Sequence, residues 1–352
     1  MANRVEAYAH LAGQTLRTGW YAAIVSALAA NARRTGNLPA PYTPTRPAPN
    51  RGELFREVLQ LQKKDADNVR NGIYPAPIDG DSFVKHIAAL RMLFADLPRS
   101  NERREAGRAE EAAQLPQAAG LPEYYTRNFH YQTDGYLSAE SAKLYDIQVE
   151  TLFLGSGAAM RRQGLPPIAE FMRGKDQRKL SLVDVACGTG RYLEQIAHAF
   201  PAMPLTGVDL SAAYVDEAAA YLAGRRNVKV MQGNAESLPL PSESHDIATC
   251  VFLFHELPHD VRRTVVSEIA RVLKPGGLFV FIDSLQWGDR EGYDGLLEGF
   301  PQRFHEPYYE NYLGDDMAAL FASKGLTPVQ SFNAFLSKVV VCRKPLDTGH
   351  VQ

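Results

Sequence analysis

Cysteine is scarce in this chain: Cys187, Cys250 and Cys342 are the three in 352 residues, far apart and with no CxxC pair. That excludes a disulfide framework and a cysteine-built zinc site. It leaves reduced thiols beside apolar runs, where a thiol packs as a small hydrophobe. An excess of either charge is also missing. Lys and Arg total 38 against 40 Asp and Glu, a net charge of -2, and no basic stripe stands out. This balance gives a nucleic-acid partner no electrostatic support. Long hydrophobic runs are absent too. The most apolar early stretch, Trp20 to Ala30, is about half of the roughly 20 residues that a membrane span needs. It reads as one face of a helix in water. Met1 to His10 is polar, without an apolar h-region, so no secretory leader is expected and a cytoplasmic setting is.

What is present divides along the chain. At roughly 150 residues per domain, the length suggests two domains, or one with a large extension. Residues 1–120 read as a helical N-terminal region with a proline-rich connector. Tyr8 to Arg34 is rich in Ala and Leu and stops at Gly36, and Asn37 to Asn50 is crowded with prolines and has no helical period. Arg51 to Lys64 carries Leu54, Phe55, Val58, Leu59 and Leu61 near a helical stripe, and Ser82 to Leu97 does the same through Phe83, Ile87, Leu90, Leu93 and Phe94. Pro98 to Gly120, charged and interrupted by Pro116, reads as a surface connector with solvated charges. Residues 121–178 form an aromatic-rich helical linker. Tyr124, Tyr125, Phe129, His130, Tyr131 and Tyr136 crowd together before Ser138 caps a helix to about Phe153.

Over residues 179–346 the rhythm changes, and 347–352 are left as a tail. Leu182 to Cys187, Leu205 to Leu210, Val228 to Gln232, Asp246 to Leu253 and Leu278 to Asp283 are short apolar strand candidates. Helices separate them: one with Leu193, Ile196, Ala197 and Phe200 on a face, one capped by Ser211, and one from Pro258 to Leu273 with Val261, Val265, Ile269 and Val272. Lys274 to Gly277 is a helix stop and turn. A helix over Asp315 to Gly325 and strands near Thr327 to Ser331 and Phe335 to Cys342 close the chain. Alternating strands and helices predict an α/β fold. The expectation is a doubly wound, mostly parallel, seven-stranded Rossmann-like sheet behind a helical N-terminal region, its last pair adding an antiparallel strand.

The chemistry-bearing run is Val183-Asp184-Val185-Ala186-Cys187-Gly188-Thr189-Gly190. A buried strand ends in a glycine turn that opens a helix, and in a doubly wound sheet ligands bind beyond such strand ends. Gly188 and Gly190 would let the backbone come close to a ligand where a Cβ would collide. Asp209 ends the second strand, 21 residues after Gly188, about the spacing at which a carboxylate meets a ribose diol. A dinucleotide fingerprint needs a third glycine where this chain has Leu193, after bulky Arg191 and Tyr192. NAD and FAD are therefore poor choices, and a GxxxxGK[ST] phosphate loop is also missing.

VDVACGTG, GVDLS, GNAESLP, FHELP and RVLKPGGLFVFID follow in that order. Together they resemble the class I S-adenosylmethionine-dependent methyltransferases, within them the small-molecule group that contains the ubiquinone and menaquinone enzymes. The likeness covers about Lys179 to Lys344. It implies S-adenosylmethionine as cofactor and S-adenosylhomocysteine as product. It also implies roles: Asp184 and Ala186 to Gly190 at the methionine end, Asp209 on the ribose, Leu210 on the adenine face, Asn234 and Ala235 at the adenine edge, and Phe252 beside the sulfonium. Asn234 departs from the family, in which Asp is common, but its amide still offers an acceptor.

Methyl transfer needs a base only where the acceptor arrives protonated. His255, with Glu256 after the fourth strand, is the first candidate, followed by His130 and His305. The stretches Tyr124 to Tyr136 and Phe300 to Tyr312 offer aromatic rings with polar tips. Tyr131, Tyr136, Glu256 and Tyr308 are the expected acceptor contacts, with the two aromatic stretches as a lid over an aromatic or lipid-like molecule. A base-amine methyltransferase would want an Asp/Asn-Pro-Pro-aromatic element, and this chain has Phe252-Leu253-Phe254-His255 instead. Protein methylation stays open, as does a domain that holds the cofactor without chemistry. Neither a bound metal nor an oligomeric state follows from the sequence.

Overall fold

The computed structural model describes residues 2–36, 42–77, 79 and 82–346. The expected tail 347–352 and part of the proline-rich connector lie outside them. Four helices come first: α1 (Ala2–Thr35), α2 (Arg51–Arg70), α3 (Phe83–Ala106) and α4 (Ala139–Leu152). Two short helices follow, α5 (Gly157–Arg162) and α6 (Leu165–Met172). Then the alternation begins: β1 (Leu182–Val185), α7 (Arg191–Ala199), β2 (Leu205–Asp209), α8 (Ala212–Tyr221), β3 (Val228–Gln232), β4 (His245–Val251), α9 (His259–Val272) and β5 (Leu273–Ser284). The chain ends through α10 (Asp294–Gly299), α11 (Tyr309–Leu313), α12 (Met317–Ser323), β6 (Thr327–Ala334) and β7 (Ser337–Arg343). Two compact units result. One comprises Met1–Gly72, Ala76–Met160 and Arg290–Pro307, the other Ile73–Pro75, Arg161–Asp289 and Tyr308–Gln352.

The second unit holds the sheet, in the order β3-β2-β1-β4-β5-β7-β6. The first five strands run parallel; β7 lies antiparallel to β5, and β6 antiparallel to β7. The strands of the centre are apolar on both faces because helices cover both: Leu182, Val183, Ile247, Ala248, Val280 and Phe281 are fully buried. From α7, Leu193, Ile196 and Ala197 are buried, and from α9 Val265, Val266, Ile269 and Val272. Ser211 caps α8 by accepting from Tyr214 N at 3.3 Å. Lys274 to Gly277, expected as a turn ahead of the strand, lies inside β5, beside a register shift at His245/Ile247. All seven expected strands are present, and the three cysteines are free and buried.

The first unit is helical and irregular. Asn50 starts α2 with a capping box, its side chain accepting from Glu53 N while Glu53 reaches back to Asn50 N. Ser138 caps α4 as its hydroxyl predicts. Tyr21 and Ile24 of α1, Leu93 of α3 and Leu144 and Ile147 of α4 form one apolar cluster. The surface connector expected from Pro98 is corrected here. The helix continues through Pro98 to Ala106, because Arg, Glu and Ala are strong helix formers. Arg103 is buried, donating from Nε to Tyr131 O at 3.0 Å and bonding Thr133 Oγ1.

Candidate active site

The strand order turns between β1 and β4, and a crevice beyond the strand ends is expected at such a point. The chain leaves β1 through Ala186 (φ 59°), Gly188 (φ 55°) and Gly190 (φ 79°). These left-handed residues curl the backbone into a loop, and Gly190 N donates to Cys187 O at 3.0 Å before α7 starts. The two glycines answer different needs. A Cβ at Gly188 would meet nothing within 4 Å, so the loop faces open space there. A Cβ at Gly190 would sit 2.7 Å from Leu222 Cδ1 and 3.2 Å from Ala218 Cβ. Gly190 therefore lets α7 seat against α8, and room for a ligand at the backbone exists at Gly188 instead.

Asp209, at the tip of β2, closes the loop. Its Oδ2 accepts from Gly188 N at 2.8 Å and its Oδ1 from Ser211 N at 2.9 Å. Burial pushes its pKa up, against the pull of the Ser211, Gly188 and Leu210 N–H groups. Asp184, in β1, accepts from Thr249 Oγ1 at 2.6 Å. Burial raises it to about 7, with help from the charge of Asp209 and against the Thr249 bond and Arg161. Two buried carboxylates thus sit at adjacent strand ends, an arrangement that favours a cation. Leu210, Asn234 and Ala235 are half-buried near the tips of β2 and β3. Asn234 Oδ1 already accepts from Glu236 N at 2.9 Å, which leaves one lone pair for an outside donor.

At the end of β4, Phe252 has φ 56° and donates from its N–H to Ile282 O at 2.9 Å. A bulky residue in the left-handed region is costly, and such strain clusters at functional sites. The next turn carries His255. Its Nδ1 lies 2.5 Å from Asp283 Oδ1, and its Nε2 is 3.9 Å from Glu256 Oε1. Asp283, at the end of β5, is fully buried and also accepts from Phe254 N and Ser284 N, both at 2.7 Å. The rings of Tyr309 and Tyr312 meet the imidazole edge-on, with centroids at 6.0 and 6.3 Å. Their hydroxyls are tied to Ser284, Tyr309 to its Oγ at 2.7 Å and Tyr312 to its carbonyl at 2.6 Å. Arg262, fully buried, lies 3.1 Å from Asp315 Oδ2 and bonds Asn311, fixing α11. Tyr308, half-buried, leads into that helix.

His130, His305, Tyr131 and Tyr136 belong to the first unit and are described within it. His130 and Tyr131 both have left-handed φ, 54° and 56°. His130 N donates to His305 O at 3.2 Å, and its ring stands edge-on to Phe300 and Phe304. His130 Nε2 lies 2.9 Å from Oε1 of the buried Glu306. The ring of Tyr131 is 5.7 Å from that of His305. Burial lowers the His305 pKa, and its Nε2 has no hydrogen-bond partner among the described residues. Tyr136 is buried and stacks on Phe129 with centroids 5.6 Å apart.

Sequence reasoning missed Asp283, Thr249 and Glu306. The signal for Asp283 was available: a lone carboxylate ending the apolar run Leu278 to Ile282. Thr249 and Glu306 carry no local pattern, since each matters through a partner far away in sequence.

Residues 182–277 match the family described as "Methyltransferase domain". The demethylmenaquinone methyltransferase of Lactococcus lactis subsp. lactis is 35% identical over 112 residues, 31% of this chain and 44% of that protein. The chain therefore spans less than half the length of that relative. The demethylmenaquinone methyltransferase of Desulfitobacterium hafniense is 28% identical over 228 residues, 58% of this chain and 87% of that protein. Among solved structures, a SAM-dependent methyltransferase from Aquifex aeolicus is 20% identical, covering 59% of this chain and 99% of that one with a TM-score of 0.43. The domain match runs from β1 into β5 and includes the glycine loop, Asp184 and Asp209. It is through residues 182–277 of this second unit that the chain is similar to known methyltransferases.

Proposed function

We propose that the second unit transfers a methyl group from S-adenosylmethionine to a small-molecule acceptor. The observation that carries the reading is the bond from Gly188 N to Asp209 Oδ2, which ties the glycine loop to the neighbouring strand tip. A carboxylate has about four acceptor positions. Those turned to Gly188 N, Ser211 N and Leu210 N leave Asp209 an acceptor position for a ribose hydroxyl. Asp184 and the loop Ala186 to Gly190 hold the methionine end, Leu210 packs on the adenine, Asn234 and Ala235 meet its edge, and Phe252 lines the sulfonium pocket. The donor set fits this cofactor: open space at Gly188 admits it, and buried carboxylates suit its ammonium and sulfonium charges. When bound, it supplies an electrophilic methyl carbon. The protein binds, orients and excludes water.

An aromatic or lipid-like acceptor accords with two relatives named demethylmenaquinone methyltransferases. Calorimetry with S-adenosylmethionine and with S-adenosylhomocysteine tests the cofactor, and both should give heat. Incubation with a metabolite extract and methyl-labelled cofactor should then add one methyl mass to a small molecule. Absence of heat with both ligands would sink the reading. Bound cofactor without any release of S-adenosylhomocysteine would favour a cofactor-holding protein instead.

A further inference from the structure

We infer that this chain pairs with a second copy of itself through the exposed face of α1, the two helices running antiparallel. Such pairing is independent of methyl transfer. α1 is built the opposite way from an ordinary surface helix, which turns apolar residues inward and polar ones out. Its outward positions recur from Val5 at alternating steps of four and three, through Ala9, Ala12, Leu16, Gly19 and Ala23, and the same steps reach Ser26 and Ala30. All are exposed, and none is charged. Ser26, the polar member, has its hydroxyl bonded to Ala22 O at 2.8 Å. A seam of this period is what one helix presents to another along its length. The glycines point outward too. A glycine inside a helix costs about 1 kcal/mol relative to alanine, yet a Cβ at Gly13 or Gly19 would meet nothing of this chain within 4 Å. Packing within one copy gives neither glycine a reason; a second helix approaching closely does.

Direction and register follow from side-chain size. A two-fold axis at the level between Arg17 and Thr18 sets Leu16 opposite Gly19 of the other copy, Val5 opposite Ala30, Tyr8 opposite Ala27 and Ala12 opposite Ala23. Each large side chain meets a small one, and the symmetry makes every contact twice. A parallel pair fails this fit. Leu16 and Tyr8 would each meet their own copies, Gly19 would face Gly19 across a void, and Arg33 and Arg34 at the helix end would crowd theirs. The antiparallel pair also opposes the two helix dipoles. The area suffices. Val5, Tyr8 and Leu16 are 70, 72 and 76% exposed, and Trp20, beside the seam, is 45% exposed. Val5 to Ala30 spans about 38 Å at about 1.5 Å per residue. With its alanines and glycines the face offers on the order of 800 Å² per copy, the share each partner gives to a standard interface. A lipid surface fits less well, since alanine and glycine line most of the seam in place of the bulky side chains that an interfacial helix inserts.

Two measurements on the full chain test this. Analytical ultracentrifugation of the wild type at micromolar concentration should show a species of twice the chain mass. Leu16→Glu puts a charge against Gly19 on both sides of the axis and should raise the dissociation constant at least ~100-fold. Gly19→Leu fills the space that receives Leu16 and should raise it at least ~10-fold. Both positions are exposed, so circular dichroism of the two variants should match the wild type. The second measurement reads direction by cross-linking, which the three native cysteines do not disturb because they are buried. Ala12→Cys mixed with Ala23→Cys should oxidise to a covalent dimer. Neither variant alone should, because like positions then lie about 16 Å apart along the helices, beyond the roughly 7 Å reach of a disulfide. A wild type that stays monomeric through the micromolar range would overturn the proposal, as would a dimer that survives Leu16→Glu or a cross-link from Ala12→Cys alone. A monomer that binds phosphatidylcholine–phosphatidylglycerol vesicles, and loses them with Leu16→Glu, would give the face to lipid and overturn it equally.

Discussion

The two units bury different kinds of surface. In the second, the central strands and the helices over them turn Leu, Ile, Val and Phe inward. In the first, the inward face of α1 reads Ala7, His10, Gln14, Thr18, Tyr21 and Ile24, and half of that is polar. Its seam with α2 is built from His10 to Asp65 at 2.6 Å, Gln62 Nε2 to Thr18 Oγ1 at 2.6 Å and Gln62 Nε2 to Gln14 O at 3.1 Å. Val5, Tyr8 and Leu16 of the same helix are more than two-thirds exposed. An apolar core tolerates volume-conserving swaps, because its stabilisation is non-directional. A buried polar seam depends on each partner being present, since an orphaned group loses its hydrogen bonds to water and gains nothing in return.

The sharpest test of that contrast is His10→Ala. It removes the His10 bond to the fully buried Asp65, and breaking a buried pair costs about 3–5 kcal/mol. Hydrogen exchange should show α1 and α2 losing protection by that amount while the second unit keeps its cofactor affinity. Ile196→Val in α7, by comparison, should cost only about 0.5–1.5 kcal/mol. Similar small losses at both sites would erase the distinction between the units.

The next effect separates them by pH. Asp184 is raised to about 7 by burial, above its ordinary value, so its contribution to stability is full at low pH and is lost as pH rises through about 7. Between pH 5 and 8 the ligand-free wild type should lose about 2–3 kcal/mol relative to Asp184→Asn, read as a shrinking difference in unfolding midpoint. Cofactor affinity should move the opposite way, tightening up to about pH 7 as the ionised carboxylate meets the ligand's ammonium. Parallel pH curves for wild type and variant would show that the carboxylate is not perturbed.

This contrast also explains what the sequence could tell. β1 through β5 were readable because both faces of each central strand are apolar and each connection is marked by glycine, proline or a capping serine. The glycine loop and Asp209 were readable because their spacing follows from adjacent parallel strands. α1 could be recognised as a helix, but its packing face could not, since His10, Gln14 and Thr18 point inward while Val5 and Leu16 point out. The charged stretch after Pro98 misled for the same reason: Arg103 is buried by bonds to Tyr131 and Thr133, residues with no sequence signal linking them to it. His255 could be found from its place after β4, yet its partner Asp283 lies 28 residues on, and only the pairing of β4 with β5 brings the two together.

The smallest effect divides one loop of the second unit by the same logic, packing at one residue and open space at the other. Gly190→Ala forces a Cβ against Leu222 and Ala218 at φ 79°. It should destabilise by about 1–3 kcal/mol, and its cofactor affinity should follow only through that loss. Gly188→Ala meets no protein atom, so its cost is the left-handed backbone alone, about 1–2 kcal/mol. Its new methyl group, however, enters the space left for the ligand, and cofactor affinity should fall at least about tenfold, roughly 1.4 kcal/mol in binding. Thermal melts and calorimetry on the two variants measure both quantities. A Gly188→Ala protein that binds S-adenosylmethionine as tightly as the wild type would place the cofactor away from this loop, and the strand-tip pairing with Asp209 would then be only a structural tie.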